Sequence, residues 1–292
     1  MKKITFIACV LLFSLTTLVY AQGGKEIVYV ENFSYTNGIG NSYVESLRNK
    51  IIQGLMNSGR LDVKDVNSEA TLKNEQNKQT ADASAVDAET LVKMKNLNAK
   101  YVIQGHVTTL ETVKRTTDKG EVFYSSNAAF DLKIIDIETG TLKEAKSYSL
   151  TGSTSPGLLS SGVGDTPDKA FADLLKVHVD TDMKKLVNES FPVEGTILEI
   201  AEEKKGKVTG VYINLGSLQG FSKGQVFKVY VEREIAGRKS QKEIGEVKID
   251  AVEGDDISLC KVSKGGDDIK AALGEGQPIL IRSIHKTNLL GL

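Results

Sequence analysis

Between positions 195 and 283 the chain carries six short apolar segments, TILEIA, VTGVYINL, QVFKVYVE, IGEVKIDAV, ISLCKV and PILIRS, alternating with turns rich in Gly, Lys and Asp. Segments this short bury their apolar side chains by pairing edge to edge. Their regular spacing therefore predicts a small antiparallel barrel or sandwich. The period of two assigns faces: Val247, Ile249 and Ala251 point one way, and Glu246, Lys248 and Asp250 the other. In GSLQGFSKGQ the glycines Gly216, Gly220 and Gly224 are expected as turns of the barrel. The stretch is no Walker loop, because Lys223 follows Ser222 where the motif places a glycine.

Upstream the period changes. After an apolar run over residues 27–30, the positions Val44, Leu47, Ile51, Leu55 and Met56 recur at spacings of three and four, as one buried helix face requires. Ser42 and Glu45 form a capping-box pattern at its start, and NSGR closes it. A strand is expected over 61–66. The stretch 68–98 is mostly helical in composition, with the polar NEQNKQTADAS as a loop between two helices. From Lys100 the segments KYVIQGHVTTLE, FYSSNAAFDLKIIDIE and TLKEAKSYSL are strands, the last two joined by a turn at Thr139 and Gly140. GSTSPGLLSSGVGD reads as a flexible loop. Thr166 then caps a helix with Pro167 at its first position and Phe171, Leu174, Leu175 and His178 along one face. The fold expected is α+β: a mixed sheet with flanking helices, followed by a small all-β barrel domain.

The beginning of the chain has the pattern of a secretory signal, with Lys2 and Lys3 ahead of an apolar stretch over 4–19. Val19 and Ala21 fit the small-x-small cleavage rule, so cleavage is expected between Ala21 and Gln22. An uncleaved anchor is the alternative, the apolar run being near the short end for a span. After Cys9 the sequence VLLFSL continues apolar, which does not fit lipid attachment there. Removing 21 of 292 residues leaves 271, enough for two domains, and takes the formal net charge of −1 to −3 as Lys2 and Lys3 leave. There is no basic excess to bind nucleic acid. Cys260 is then alone, without a disulfide partner, and is read as a small apolar strand residue. Pro192 interrupts the helical pattern. The expected division is therefore 1–21 signal peptide, 22–190 first domain, 193–284 barrel and 285–292 tail, with few side chains bridging 190–194.

Sites of chemistry are sparse. NFSYTNGIGNSY offers Gly38 and Gly40 where a dinucleotide fingerprint begins, and Asp62 stands about where a ribose-binding carboxylate would. Tyr43 occupies the third glycine position, so Gly38 and Gly40 are read as turn residues before a helix. His106, His178 and His285 are far apart and lack second ligands at zinc-like spacing. No G-x-S-x-G elbow is present. The acidic runs EGDD and GGDD are read as solvated turns, and Asp180 and Asp182 are followed by Lys184 where a calcium loop would place another oxygen. The expectation is no catalytic residue, no metal ligand and no cofactor, and so no enzyme.

The blocks IVYVENFS, SLRNKIIQGLMNSGRLDVKDV, LNAKYVIQGHVTTLE and KIIDIETGTL resemble, in this order, the CsgG-like domain over about residues 25 to 190. That group includes the curli secretion channel and the lipoprotein activators of penicillin-binding proteins, and is similar to the amino-terminal domain of TolB. VYINLGSLQGFSKGQVFKVY resembles the carboxy-terminal barrel of the flagellar protein FlgT. The resemblance implies a noncatalytic periplasmic assembly factor, or one peripheral to the outer membrane. Its partners would be other cell-envelope proteins of secretion, cell-wall synthesis or motility, or further copies of itself. The alternative is an oligomeric component of an outer-membrane secretion channel. Against direct membrane insertion, the segment between the central strands carries Lys114, Arg115, Asp118, Lys119 and Glu121, which suit a solvated hairpin.

Overall fold

The computed structural model describes residues 25–65 and 98–284. The expected cleavage between Ala21 and Gln22, almost all of the helical stretch 68–98, His285 and the tail lie outside the described residues. Strand β1 (Glu26–Val30) is parallel to both neighbours, β3 (Leu61–Asp65) and β4 (Tyr101–Thr116). The parallel β1–β3 pair arises because helix α1 (Asn41–Asn57) carries the chain back between them. β4, β5 (Val122–Asp136) and β6 (Leu142–Thr151) then form an antiparallel meander, giving the order β3-β1-β4-β5-β6. The two-residue strands β2 (Ser34–Tyr35) and β7 (Val163–Gly164) pair with β4 and β5. The mixed sheet and flanking helices of the α+β reading are thus present.

Helices α1 and α2 (Pro167–Ser190) pack side by side on one face of this sheet. The apolar positions read from the sequence do the packing: Val44, Leu47, Ile51 and Leu55 of α1 meet Phe171, Leu174, Leu175, Val179 and Met183 of α2 over Val30, Ile103, Phe130 and Leu132. The helices touch closely at Gly54, where an added Cβ would lie 2.9 Å from Met183 Cγ. Met56, expected on the buried face, is 56% exposed. Arg48 sits on that face instead, fully buried, with its guanidinium donating to the carbonyls of Glu31 (2.8 Å) and Val30 (3.0 Å) and to the Asp65 carboxylate. It ties α1 to the ends of β1 and β3, a role that a count of apolar positions does not find.

The barrel closes as β10-β11-β12-β9-β8-β13. Its strands are β8 (Glu194–Lys204), β9 (Lys207–Ile213), β10 (Val226–Ile235), β11 (Arg238–Val252), β12 (Ser258–Lys264) and β13 (Ile279–Ile284), one for each apolar segment. Val211, Ile213, Phe227, Val229, Val247, Ile249, Cys260 and Ile281 fill it. Burial pushes the Cys260 thiol up to about 12.

Four local expectations are corrected. Ser42 and Glu45 form no capping box: the chain enters α1 earlier, from a turn at Gly38 (φ +95°), so that extended Gly40 takes the N-cap position. GGDD is no free turn, because Gly266 opens helix α3 (Gly266–Gly274), whose Ile269 and Ala272 pack into the barrel core and whose first-turn Asp267 and Asp268 suit the helix dipole. Glu246 is buried although its strand parity points it outward, since β11 bulges against β12 between Glu246 and Val247. A second irregularity after Ile249 leaves Ala251 only half-buried. Finally, GSTSPGLLSSGVGD is not loop throughout, for Val163–Gly164 rejoins the sheet as β7.

Candidate interaction surface

An open groove of about 1070 Å³ lies between α1 and α2 on the side away from the sheet. Its floor is apolar: Ile52, Met56, Phe171 and Leu175. Its rim is uncharged and polar, with Ser42, Ser46, Asn49, Gln53 and Asn57. The two charged side chains that line it are both engaged. Asp168 accepts a 2.7 Å hydrogen bond from Tyr43, whose ring meets Phe171 edge-on at 5.2 Å between centroids. That hydrogen bond to a carboxylate raises the Tyr43 phenol above its usual range. Lys50 donates to Asp180 at 3.1 Å and to Gln53 at 3.0 Å. The groove thus offers apolar contact and neutral hydrogen bonding, with Lys50 ion-paired to Asp180 and Asp168 keeping its negative charge while bonded to the Tyr43 hydroxyl.

The residues read as possible sites of chemistry are not brought together. His106, on β4, is exposed and bonded to Ser34 (2.8 Å). His178, on α2, is half-buried and bonded to Ser161 (3.2 Å), while Cys260 lies inside the barrel. Asp180 holds Lys50, and burial lifts the Asp182 carboxyl above its usual range. Asp62 pairs with Lys64 on β3 at 2.9 Å, and Tyr43 occupies the groove. Gly38 and Gly40 serve as the entry turn of α1, as read from the sequence. Among the described residues no group of three or more His, Cys, Asp or Glu side chains could hold a metal ion. None of their helices is long and apolar enough to cross a membrane.

A second feature lies where the sheet region meets the barrel. Arg60 follows the α1 C-terminus and is 4% exposed, donating to Asn188 Oδ1 (2.6 Å) and to the carbonyl of Phe191 at the C-terminal end of α2. The negative end of that helix dipole faces the guanidinium. Phe221 of the barrel lies over it, 5.3 Å from Cζ to the ring centroid. Burial lowers the Arg60 guanidinium to about 10. Beside it Gly59 and Gly220 touch, and a Cβ on Gly220 would fall 1.8 Å from the Gly59 carbonyl oxygen. The sequence does not point to this contact: NSGR and QGF read as turns, and nothing in either marks the other as its partner.

The hairpin β4–β5 runs to a turn at 117–121, closed by hydrogen bonds between Thr117 and Glu121 (2.9 Å) and between Gly120 and Thr117 (2.9 Å). Lys114, Asp118, Lys119 and Glu121 cluster there. At the other end of β5 the turn read at Thr139 and Gly140 is organised by Asp136, whose carboxylate accepts from the backbone of Glu138 and Thr139.

The family model described as peptidoglycan-synthase activator LpoB matches residues 16–143. No curated protein matches the chain. Among solved structures, a PelC dodecamer from Paraburkholderia phytofirmans is similar at 18% identity and a TM-score of 0.32, over 54% of this chain and 86% of that one. The LpoB C-terminal domain from Salmonella enterica is similar at 15% identity and a TM-score of 0.28, over 45% and 87%. The corresponding domain from Escherichia coli gives 15%, 0.27, 44% and 84%.

Proposed function

We propose that this chain is a noncatalytic docking protein of the bacterial cell envelope, exported to the periplasm, and that its partner is a peptidoglycan synthase. The observation that carries the reading is the family-model match over residues 16–143, which spans β1, α1 and the β4–β5 hairpin. The surface agrees with docking: the groove beside α1 combines apolar Ile52, Met56, Phe171 and Leu175 with a rim of serine, asparagine and glutamine, and its Lys50 is already paired with Asp180. The test is to add the purified chain to a peptidoglycan synthase from the same cells and follow glycan polymerisation and peptide cross-linking. Co-purification with the synthase and faster polymer formation are expected. An unchanged rate with no co-purification would overturn the proposal, and stable ion-conducting pores formed by the chain in lipid bilayers would replace it with the secretion-channel alternative.

A further inference from the structure

Three lysines meet on the outer surface of the barrel. β11 turns Lys248 and Asp250 outward, and the strand register sets Lys261 of β12 directly opposite Lys248. Like charges at opposed positions repel, so this pair costs stability as it stands. A third lysine, Lys223, comes from the turn that leads into β10. That turn is fastened to β11, since the Gly224 N–H donates to the Ile249 carbonyl at 2.9 Å and the Ile249 N–H to the Gln225 carbonyl at 2.9 Å. Lys223 is therefore presented by bonded backbone. Beside it Gly224 takes φ +96°, and a Cβ there would lie 3.8 Å from Lys248 Cε, so the lysine stem passes close to the glycine. Lys223, Gly224, Lys248, Ile249, Asp250 and Lys261 enclose a hollow of about 260 Å³.

The acids around it do not balance the lysines. Asp250 is shared, with Lys261 at 2.9 Å and Lys223 at 3.4 Å. The hydrogen bond from Lys261, aided by that from Lys223, holds its carboxyl below the usual carboxylate range. Among the described residues no carboxylate forms an ion pair with Lys248. Glu202 of β8 also attracts Lys261, but it is held by Lys204 at 3.0 Å and accepts from Thr209 at 3.2 Å. The Glu202–Lys204 pair is neutral as a whole. Three positive charges thus face one negative charge across the hollow.

The donors select the kind of anion. A planar carboxylate is matched best by the fork of a guanidinium, whereas ammonium groups are point charges that can each approach a different oxygen of a tetrahedral anion. Among the described residues that line the hollow there is no arginine. We propose that it binds a phosphate group, with Lys223, Lys248 and Lys261 each donating to a different oxygen while Asp250 positions Lys223 and Lys261. Binding relieves the repulsion between Lys248 and Lys261, so ligand and fold stabilise each other. The site lies in the barrel, outside residues 16–143, and does not rest on the docking reading. Free phosphate and the phosphate of a lipid headgroup offer the same chemistry.

The test follows thermal unfolding of the full exported chain in sodium phosphate and in sodium chloride of equal ionic strength. Phosphate should raise the wild-type midpoint by about 2 °C beyond chloride. Lys248→Gln and Lys223→Gln should each weaken phosphate binding about tenfold in calorimetric titration. Lys248→Gln should also leave the chloride midpoint equal to the wild type or above it, because the opposed pair is gone. Both side chains are exposed, so the variants should fold, which circular dichroism checks. A second arm compares sedimentation with vesicles of phosphatidylcholine and with the same vesicles containing phosphatidic acid. Binding to the phosphatidic acid vesicles that both variants lose assigns the site to a headgroup, and a free-phosphate response without vesicle binding assigns it to the soluble anion. A response that both variants keep, or none beyond chloride in either arm, would overturn the site.

Discussion

The sheet and the barrel solve the problem of strand edges differently. All six barrel strands have two neighbours, so the backbone ladder has no free side and the apolar residues point inward. The mixed sheet ends at β3 and β6, and between β6 and β7, which pair in turn with β5, the chain leaves it in a leucine loop that exposes Leu158 and Leu159. The open groove, the leucine loop and the charged β4–β5 turn all belong to the sheet region. From the barrel core, Phe221 also reaches over Arg60 at the seam. Closure makes the barrel a stable support, and incompleteness leaves the sheet region surfaces to spend on partners.

The sharpest way to break this comparison is to remove one large side chain from each core. Phe227 in the barrel and Phe130 in the sheet are both buried, at 0% and 1% exposure. Changing either to Ala should cost about 3–5 kcal/mol. If the regions are separate folding units, Phe227→Ala lowers the urea concentration at which Cys260 reacts with a thiol reagent and Phe130→Ala leaves it nearly unchanged. An equal shift from both would mean that the regions unfold as one.

The junction is the next place to press. Gly220 has φ +75°, and its Cβ position falls on the Gly59 carbonyl, so Gly220→Ala meets both backbone strain and a collision. The strain alone costs about 1–2 kcal/mol, and the collision should open the seam. Limited proteolysis should then cut at 190–194 faster than in the wild type. Protection equal to the wild type would show that the Arg60 contacts do not depend on this close approach.

Which parts were legible follows from how local their causes are. Each barrel strand was readable because a period of two and a following turn are written within ten residues, and both long helices declared their apolar faces. Helix α3 was missed because Gly265, Gly266, Asp267 and Asp268 look like a turn, although Ile269, Ala272 and Leu273 carry the helical spacing. The Arg48 and Arg60 contacts were beyond reach for a different reason. Each guanidinium is met largely by carbonyl groups brought in by distant chain, and carbonyls carry no sequence signature. The groove was half legible: its helices were expected, but their crossing at Gly54 and the exposure of Met56 depend on packing. The paired use of Gly59 and Gly220 is likewise a property of two segments and of neither alone.

Barrel closure also makes an alkaline prediction. The Cys260 thiol titrates at about 12 in the fold against an ordinary 9.0. A group whose folded value is raised stabilises fully below its unfolded value and loses that contribution as pH climbs towards the folded one. Stability should therefore fall between pH 9 and 12, by about 1.4 kcal/mol per pH unit from this group. Cys260→Ala should flatten that part of the profile, as measured by urea midpoints at pH 8 and pH 10. An identical slope in the variant would mean that the thiol is not shielded.

The smallest effect concerns a place where the barrel behaves like the sheet. β10 pairs with β13 only as far as Val231, yet β10 and β11 continue together to Ile235 and Arg238 as a two-stranded ribbon. Ala236 and Gly237 turn this ribbon with φ of +51° and +77°, the left-handed pair that two-residue hairpins favour. Alanine is costly there, since its Cβ crowds the following carbonyl, whereas asparagine tolerates the conformation. Ala236→Asn should therefore stabilise the ribbon by about 0.5 kcal/mol. If the ribbon opens independently of the closed barrel, amide exchange over residues 232–242 should slow about twofold while the barrel's urea midpoint stays put. A raised midpoint with the same exchange slowing would instead place the ribbon inside the barrel's cooperative unit, and the contrast between closed and open strands would then begin at the turn of the ribbon and not at Val231.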